Sequence, residues 1–182
     1  MTKRYAGGGS VLLEKLFPKV YCNSIYDIDF EKLKKMNIKG IIFDIDNTLA
    51  PFDIKYPDDK TKNFLIKLTN EGFKVSLVSN NKGNRVQIFN EELKLPAVSK
   101  AGKPRLGGLM KAMELMQTKV ATTAFVGDQI FTDVWAGNRM GVHTILVKPI
   151  CERDEWTVRL KRGFEKKVLK IYLKKEKEKN NG

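Results

Sequence analysis

Gly40-Ile41-Ile42-Phe43-Asp44-Ile45-Asp46-Asn47-Thr48-Leu49 decides the reading of this chain. An apolar run this short, followed at once by polar turn formers, predicts a buried strand. Alternation along a strand turns Asp44 and Asp46 to the same side. They fall at its C-terminal end, the edge where open α/β sheets keep their ligands. One carboxylate of such a pair can attack phosphorus while the other handles protons. Two carboxylates held this close also need a cation to offset their repulsion.

Outward from this strand the pattern alternates. Val11 to Phe17 reads as a short helix closed by Pro18, and Asp29 to Met36 as another. Downstream, Thr61 to Asn70 carries Phe64, Leu65 and Leu68 at helical spacing, with Gly72 as a stop signal. Strand Lys74 to Val78, helix Gly83 to Leu93 and a stub strand Ala97-Val98 follow. Then come helix Leu106 to Gln117, strand Thr123 to Val126, helix Ile130 to Met140 and strand Thr144 to Val147. Strands and helices in this rhythm predict an α/β fold, a parallel sheet covered by helices on both faces. Between Asp44 and Lys74 the chain has room for a loop and a helix and no more, which excludes an inserted domain there.

Three further strand or helix ends carry polar residues in series. Ser79 ends the second catalytic strand, where a hydroxyl and free N–H groups can hold phosphate oxygens. Lys103, before Pro104, offers an ammonium. Gly127-Asp128-Gln129-Ile130-Phe131-Thr132-Asp133 delivers Asp128 at a strand end beside the first pair, with Asp133 behind it. Each piece has an ordinary reading of its own: a helix cap at Asn47-Thr48, turn chemistry at Ser79-Asn80-Asn81, a surface lysine, a βα turn. Their order and their common sheet edge favour a phosphate site.

Composition sets the bounds. The 182 residues fit one domain, with 42% hydrophobic and 30% charged residues, as in globular proteins. No apolar run reaches the roughly 20 residues of a membrane span, and Glu14 and Lys15 interrupt the stretch that a signal peptide would need. Cys22 and Cys151 have no histidines at metal spacing and are expected to be reduced thiols of a cytoplasmic protein. The net charge of +13 favours polyanionic surroundings: nucleic acid, an anionic membrane or phosphorylated substrates.

The strand-end Asp-x-Asp-x-Thr resembles motif I of the haloacid dehalogenase (HAD) superfamily. The likeness sharpens with Leu12-Leu13 through Phe17-Pro18, Tyr21 and Ser24-Ile25-Tyr26-Asp27-Ile28-Asp29. Gly127-Asp128-Gln129, Thr132-Asp133, Gly137-Asn138-Arg139 and Gly141 add to it. Together these resemble the YqeG-type HAD subfamily IIIA, related to phosphatidylglycerophosphate phosphatases. The resemblance implies a Rossmann-like three-layer sandwich without a large cap domain. It implies that Asp44 attacks phosphorus and that Asp46 is the acid and base. Thr48, Ser79, Asn80 and Lys103 would hold the phosphate. Mg²⁺ would be bound by Asp44, by Asp46 through its carbonyl, and by Asp128, while Asp133 would orient Lys103 or a metal-bound water. The implied substrate is phosphatidylglycerophosphate, an anionic phospholipid met at the inner face of the membrane.

The expected layout is a loose leader over 1–10, one domain over 11–173 and a frayed basic tail over 174–182. From Glu152 onward, eleven Lys or Arg face six Asp or Glu. Trp156, Leu160, Phe164, Val168 and Tyr172 recur every four residues, a basic amphipathic helix. Its stripe is expected to dock on the sheet up to Val168, with an anionic leaflet as the other reading. Trp135 is expected in the core, His143 in a structural place and Arg139 on nearby carbonyls. The rivals are a soluble phosphomonoesterase of nucleotide, sugar-phosphate or phosphoprotein type, and a non-catalytic nucleic-acid- or ribosome-associated binding protein.

Overall fold

The computed structural model describes residues 13–151 and 156–180, with side chains throughout except at 156–162 and 180. The predicted leader, the first residues of the helix expected from Val11, and the side chains of Trp156 and Leu160 lie outside the described residues.

Six parallel strands form one sheet: β1 (Val20–Cys22), β2 (Gly40–Asp44), β3 (Lys74–Val78), β4 (Ala97–Val98), β5 (Thr123–Gly127) and β6 (His143–Val147). They lie in the order β1-β6-β5-β2-β3-β4. β2 is central and buried at every position, because helices cover both of its faces. Its alternation sorts the core. Ile41 and Phe43 face a cluster with Leu65, Leu68 and Phe89, while Ile42 faces Leu109, Ala112 and Met113 across the sheet. Each such side chain contributes about 1.5–3 kcal/mol by leaving water.

The helices are α1 (Phe30–Lys35), α2 (Asp59–Asn70), α3 (Gly83–Asn90), α4 (Gly107–Met116), α5 (Trp135–Met140) and α6 (Trp156–Asn180). Two starts are capped as the sequence dictates: Asp29 accepts from Lys32 N–H, and Asp58 from Thr61 N–H. The helix expected from Ile130 to Met140 is in fact a turn of π-helix, Ile130–Val134, followed by α5. The extra residue in that turn accompanies a bond from Asp133 back to the Gln129 N–H.

α6 continues through the Lys/Glu-rich stretch to Asn180. Val168 and Tyr172 are buried against Leu13, Leu16, Phe17 and the start of the π-turn, so this part of the stripe docks on the protein itself. Phe164, four residues earlier, is 60% exposed, so the stripe is split between core and solvent. Trp135 departs from its expected core position. It is exposed, with the Arg139 guanidinium 5.6 Å from its ring, because the π-turn rotates that helix face outward. Arg139 does bond a carbonyl, that of Pro104. Among the described residues, no helix is long and apolar enough to cross a membrane.

Candidate active site

The loop after β2 is wound by one residue. Asn47 has φ +61°, a left-handed conformation that asparagine tolerates better than most residues. This reversal lets the Ile45 carbonyl accept from the N–H groups of Thr48, Leu49 and Ala50. It also folds Thr48 back under the strand end. The Thr48 hydroxyl lies 3.4 Å from both Asp44 Oδ2 and Asp128 Oδ1, facing the two carboxylates.

Asp44, Asp128 and Asp133 are buried, and their nearest carboxylate oxygens lie within 4.8 Å of one another. Lys103 enters from the loop before α4 and pairs with Asp44 Oδ1 at 2.5 Å and Asp133 Oδ1 at 2.8 Å. Burial pushes the Asp44 carboxyl well above the usual range. Lys103 pulls it down, and Asp133 and Asp128 push it up again. Burial works against the Lys103 charge too, but Asp133 and Asp44 outweigh it and hold its pKa above that of a free lysine. Three carboxylates against one ammonium leave a surplus of negative charge in a site shut off from water. That surplus adds to burial, the main cause of the Asp44 shift.

Asp46 turns the other way. Its Oδ2 accepts from Ser79 Oγ and Asn81 Nδ2, each at 3.0 Å, and its Oδ1 lies 3.3 Å from Arg85 Nη2. Ser79 thus stands beside Asp46. Asn80 has both ends of its amide on the Lys103 backbone: Oδ1 accepts from Lys103 N–H at 2.8 Å, and Nδ2 donates to the Lys103 carbonyl at 3.1 Å. It fixes where the lysine starts. The Lys103–Pro104 peptide bond is cis.

Gly127 makes the approach of Asp133 feasible, since a Cβ there would lie 2.5 Å from the Asp133 carboxylate. Glu165 of α6 accepts from Phe131 N–H at 2.9 Å, joining the last helix to the loop between Asp128 and Asp133. Arg85 and Glu165 carried no sequence signal. Arg85 is the one charged residue of α3 and Glu165 one among many on α6, and only the fold sets either against the site.

Five of the sequence-predicted residues, Asp44, Thr48, Lys103, Asp128 and Asp133, therefore form one contact network at the C-terminal edge of the sheet, and Asp46 and Ser79 form a second. Asn80 supports the first from the backbone side.

A parallel α/β sheet with an Asp-x-Asp strand end, a buried lysine and a further aspartate pair defines the HAD-like class of hydrolase. Residues 41–103 match the haloacid dehalogenase-like hydrolase family, and residues 100–158 the HAD-hydrolase-like family. A "Probable phosphatase YqeG" of Bacillus subtilis (strain 168) is 38% identical over 165 residues, covering 90% of this chain and 96% of that protein. The chain therefore belongs to the haloacid dehalogenase-like hydrolases, in the YqeG family of phosphatases.

An Arabidopsis thaliana "Phosphatidylglycerophosphate phosphatase 1, chloroplastic/mitochondrial" is 28% identical, over 88% of this chain and 49% of that protein. Among solved structures, the cobalt-bound deoxy-D-mannose-octulosonate 8-phosphate phosphatase of Haemophilus influenzae superposes with a TM-score of 0.52. It is 17% identical and covers 63% of this chain and 70% of its own, a likeness of fold.

Proposed function

We propose that this enzyme hydrolyses a phosphomonoester through a phosphoryl group carried on Asp44, and that its substrate is phosphatidylglycerophosphate. The observation behind the chemistry is the buried Asp44 carboxylate, held by Lys103 at the strand end beside Asp46. The lipid substrate draws on the plant relative and on the net charge of +13, which favours an anionic surface.

In the first step Asp44 attacks phosphorus, the bond to the leaving oxygen breaks, and Asp46 gives that oxygen a proton. In the second, Asp46 takes a proton from water, the water oxygen attacks phosphorus, and the Asp44 carboxylate leaves with inorganic phosphate formed. Lys103 holds a phosphoryl oxygen and balances its charge; Ser79 is placed to help. Positioning and charge are what this transition state needs most. Thr48 orients Asp44 and Asp128, Asn80 anchors Lys103, and Asp133 keeps the ammonium aimed at Asp44.

The residues fit a divalent cation. Three buried carboxylates share one ammonium, and such an ion would relieve both that surplus of negative charge and the cost of burying Asp44. Asp44, Asp128 and the Asp46 carbonyl would hold it, and Mg²⁺ suits an all-oxygen donor set. Bound there, the ion screens the charges of nucleophile and phosphate as they meet.

The test is phosphate release from phosphatidylglycerophosphate in mixed micelles with Mg²⁺, beside a panel of soluble phosphomonoesters and the Asp44→Asn variant. The expected result is Asp44-dependent turnover with preference for the lipid. Turnover of soluble esters alone would keep the chemistry and remove the lipid.

A further inference from the structure

Thr48 also lines a cavity of about 650 Å³, within the range of single-ligand pockets. Three loops at the C-terminal edge of the sheet meet around it, those after β1, β2 and β6. Its mouth carries four large apolar or aromatic side chains that water covers poorly: Tyr26 (38% exposed), Ile54 (47%), Tyr56 (53%) and Ile150 (51%). Exposed apolar groups gathered in one place on a soluble domain mark an interaction site. Two exposed lysines, Lys60 and Lys148, stand among them, and neither has a carboxylate at ion-pair distance among the described residues. The Lys60 ammonium sits 3.9 Å from the centre of the Tyr26 ring. The one acidic residue in the lining, Asp58, caps α2 and stays charged, so the two lysines leave a small positive excess. The cavity therefore offers apolar surface and positive charge together, the pairing that suits an amphiphilic anion.

The cavity also touches the catalytic loop. Thr48 forms part of its wall, and Ile150 N–H donates to the Asn47 carbonyl at 2.9 Å. α6 is the competing face, since it exposes Phe164, Ile171 and Leu173 beside Lys166, Lys167 and Lys170, but it is the cavity that has Thr48 of the catalytic loop in its wall.

We propose that this cavity and its rim are where the enzyme seats on an anionic phospholipid surface. Tyr26, Ile54, Tyr56 and Ile150 dip into the interface, and Lys60 and Lys148 meet a lipid phosphate. The inference deepens the lipid reading above, since it names the surface on which the substrate would be presented. Its test needs no turnover, so the two can fail separately.

The experiment is sedimentation of the full chain with phosphatidylcholine vesicles, with and without phosphatidylglycerol. Three variants accompany the wild type: Ile54→Ser/Ile150→Ser, Lys60→Ala/Lys148→Ala, and Lys166→Glu/Lys170→Glu on α6. Thermal midpoints confirm that each is folded. The expected result is binding to phosphatidylglycerol-containing vesicles that falls about tenfold or more in each of the first two variants, and less in the third. The serine pair keeps the net charge, so its loss separates insertion from adsorption of a basic protein. Absence of wild-type binding, insensitivity to the serine pair, or loss confined to the α6 variant would each overturn the proposal.

Discussion

Arg85 Nη2 lies 3.3 Å from Asp46 Oδ1, while Nη1 of the same guanidinium donates to the Lys55 carbonyl. One side chain thus joins the proposed proton donor to the loop that follows it. Arg85→Ala is expected to lower kcat by up to about a hundredfold, the scale that a shift of about 1 Å in a catalytic group produces. KM should change little, and Arg85→Lys should restore part of the rate. Steady-state kinetics decide: a loss confined to KM would make Arg85 a substrate contact.

Asp44→Asn is expected to abolish turnover and to leave the metal-free protein as stable as before or more so. The native carboxyl keeps its proton to higher pH than the unfolded chain does. Its contribution to stability therefore falls as pH rises through the window between the ordinary carboxylate value and the raised native one. An amide removes that penalty. Mg²⁺ should raise the thermal midpoint of the wild type by linkage, and that of the variant by less. An equal gain in both would exclude Asp44 from the cation site.

Lys103→Met is expected to destabilise the protein by about 3–5 kcal/mol, because Asp44 and Asp133 lose their buried counter-charge. Asn80→Ala should have a smaller effect, about 1–3 kcal/mol, through the two Lys103 backbone groups it leaves without a partner. Urea denaturation ranks the two. A reversed order would show that the lysine's charge is balanced elsewhere.

Burial, with Lys19 and Lys32 adding to it, holds the His143 pKa below its ordinary value of 6.5. The neutral ring is favoured in the fold, so stability is lost as pH falls below about 6.5, where the unfolded chain takes up a proton first. His143→Gln should therefore lose less of its thermal midpoint than the wild type between about pH 7.5 and about pH 5.5. Parallel curves for the two proteins would remove His143 from the acid response.

Gly127→Ala places a methyl group against the Asp133 carboxylate. A loss of about 1–3 kcal/mol is expected, with reduced activity, as Asp133 is pushed off Lys103. Thermal denaturation and kinetics on the same sample check both parts. Full activity would mean that Asp133 can retreat without disturbing the lysine.

What the sequence reveals depends on how local each cause is. β2 is legible as an apolar run and β3 as one broken by Ser76, but the orientation of the Asp-x-Asp pair is not, since β2 ends at Asp44 and Asp46 turns away to Ser79, Asn81 and Arg85. β1 is not legible either, since Val20-Tyr21-Cys22 is short and half-buried; its partner β6 lies more than 120 residues away. Asn80 is visible as a polar residue at a strand end, but its bonds to Lys103 depend on where a later loop returns. Arg85 reads as one more basic residue of a basic chain until the fold sets it beside Asp46. Trp135 reads as core because its helix is counted at 3.6 residues per turn, and the π-turn breaks that count.

The Phe131–Glu165 hydrogen bond has a practical side. The basic C-terminal segment is an obvious candidate for trimming when a cleaner or more soluble preparation is wanted. Glu165 belongs to that segment, yet it holds the backbone between Asp128 and Asp133. A chain cut before α6 would leave that amide without its acceptor and uncover Leu146 and Ile130 as well. Kinetic constants measured on such a truncated preparation would describe a different catalyst from the full chain.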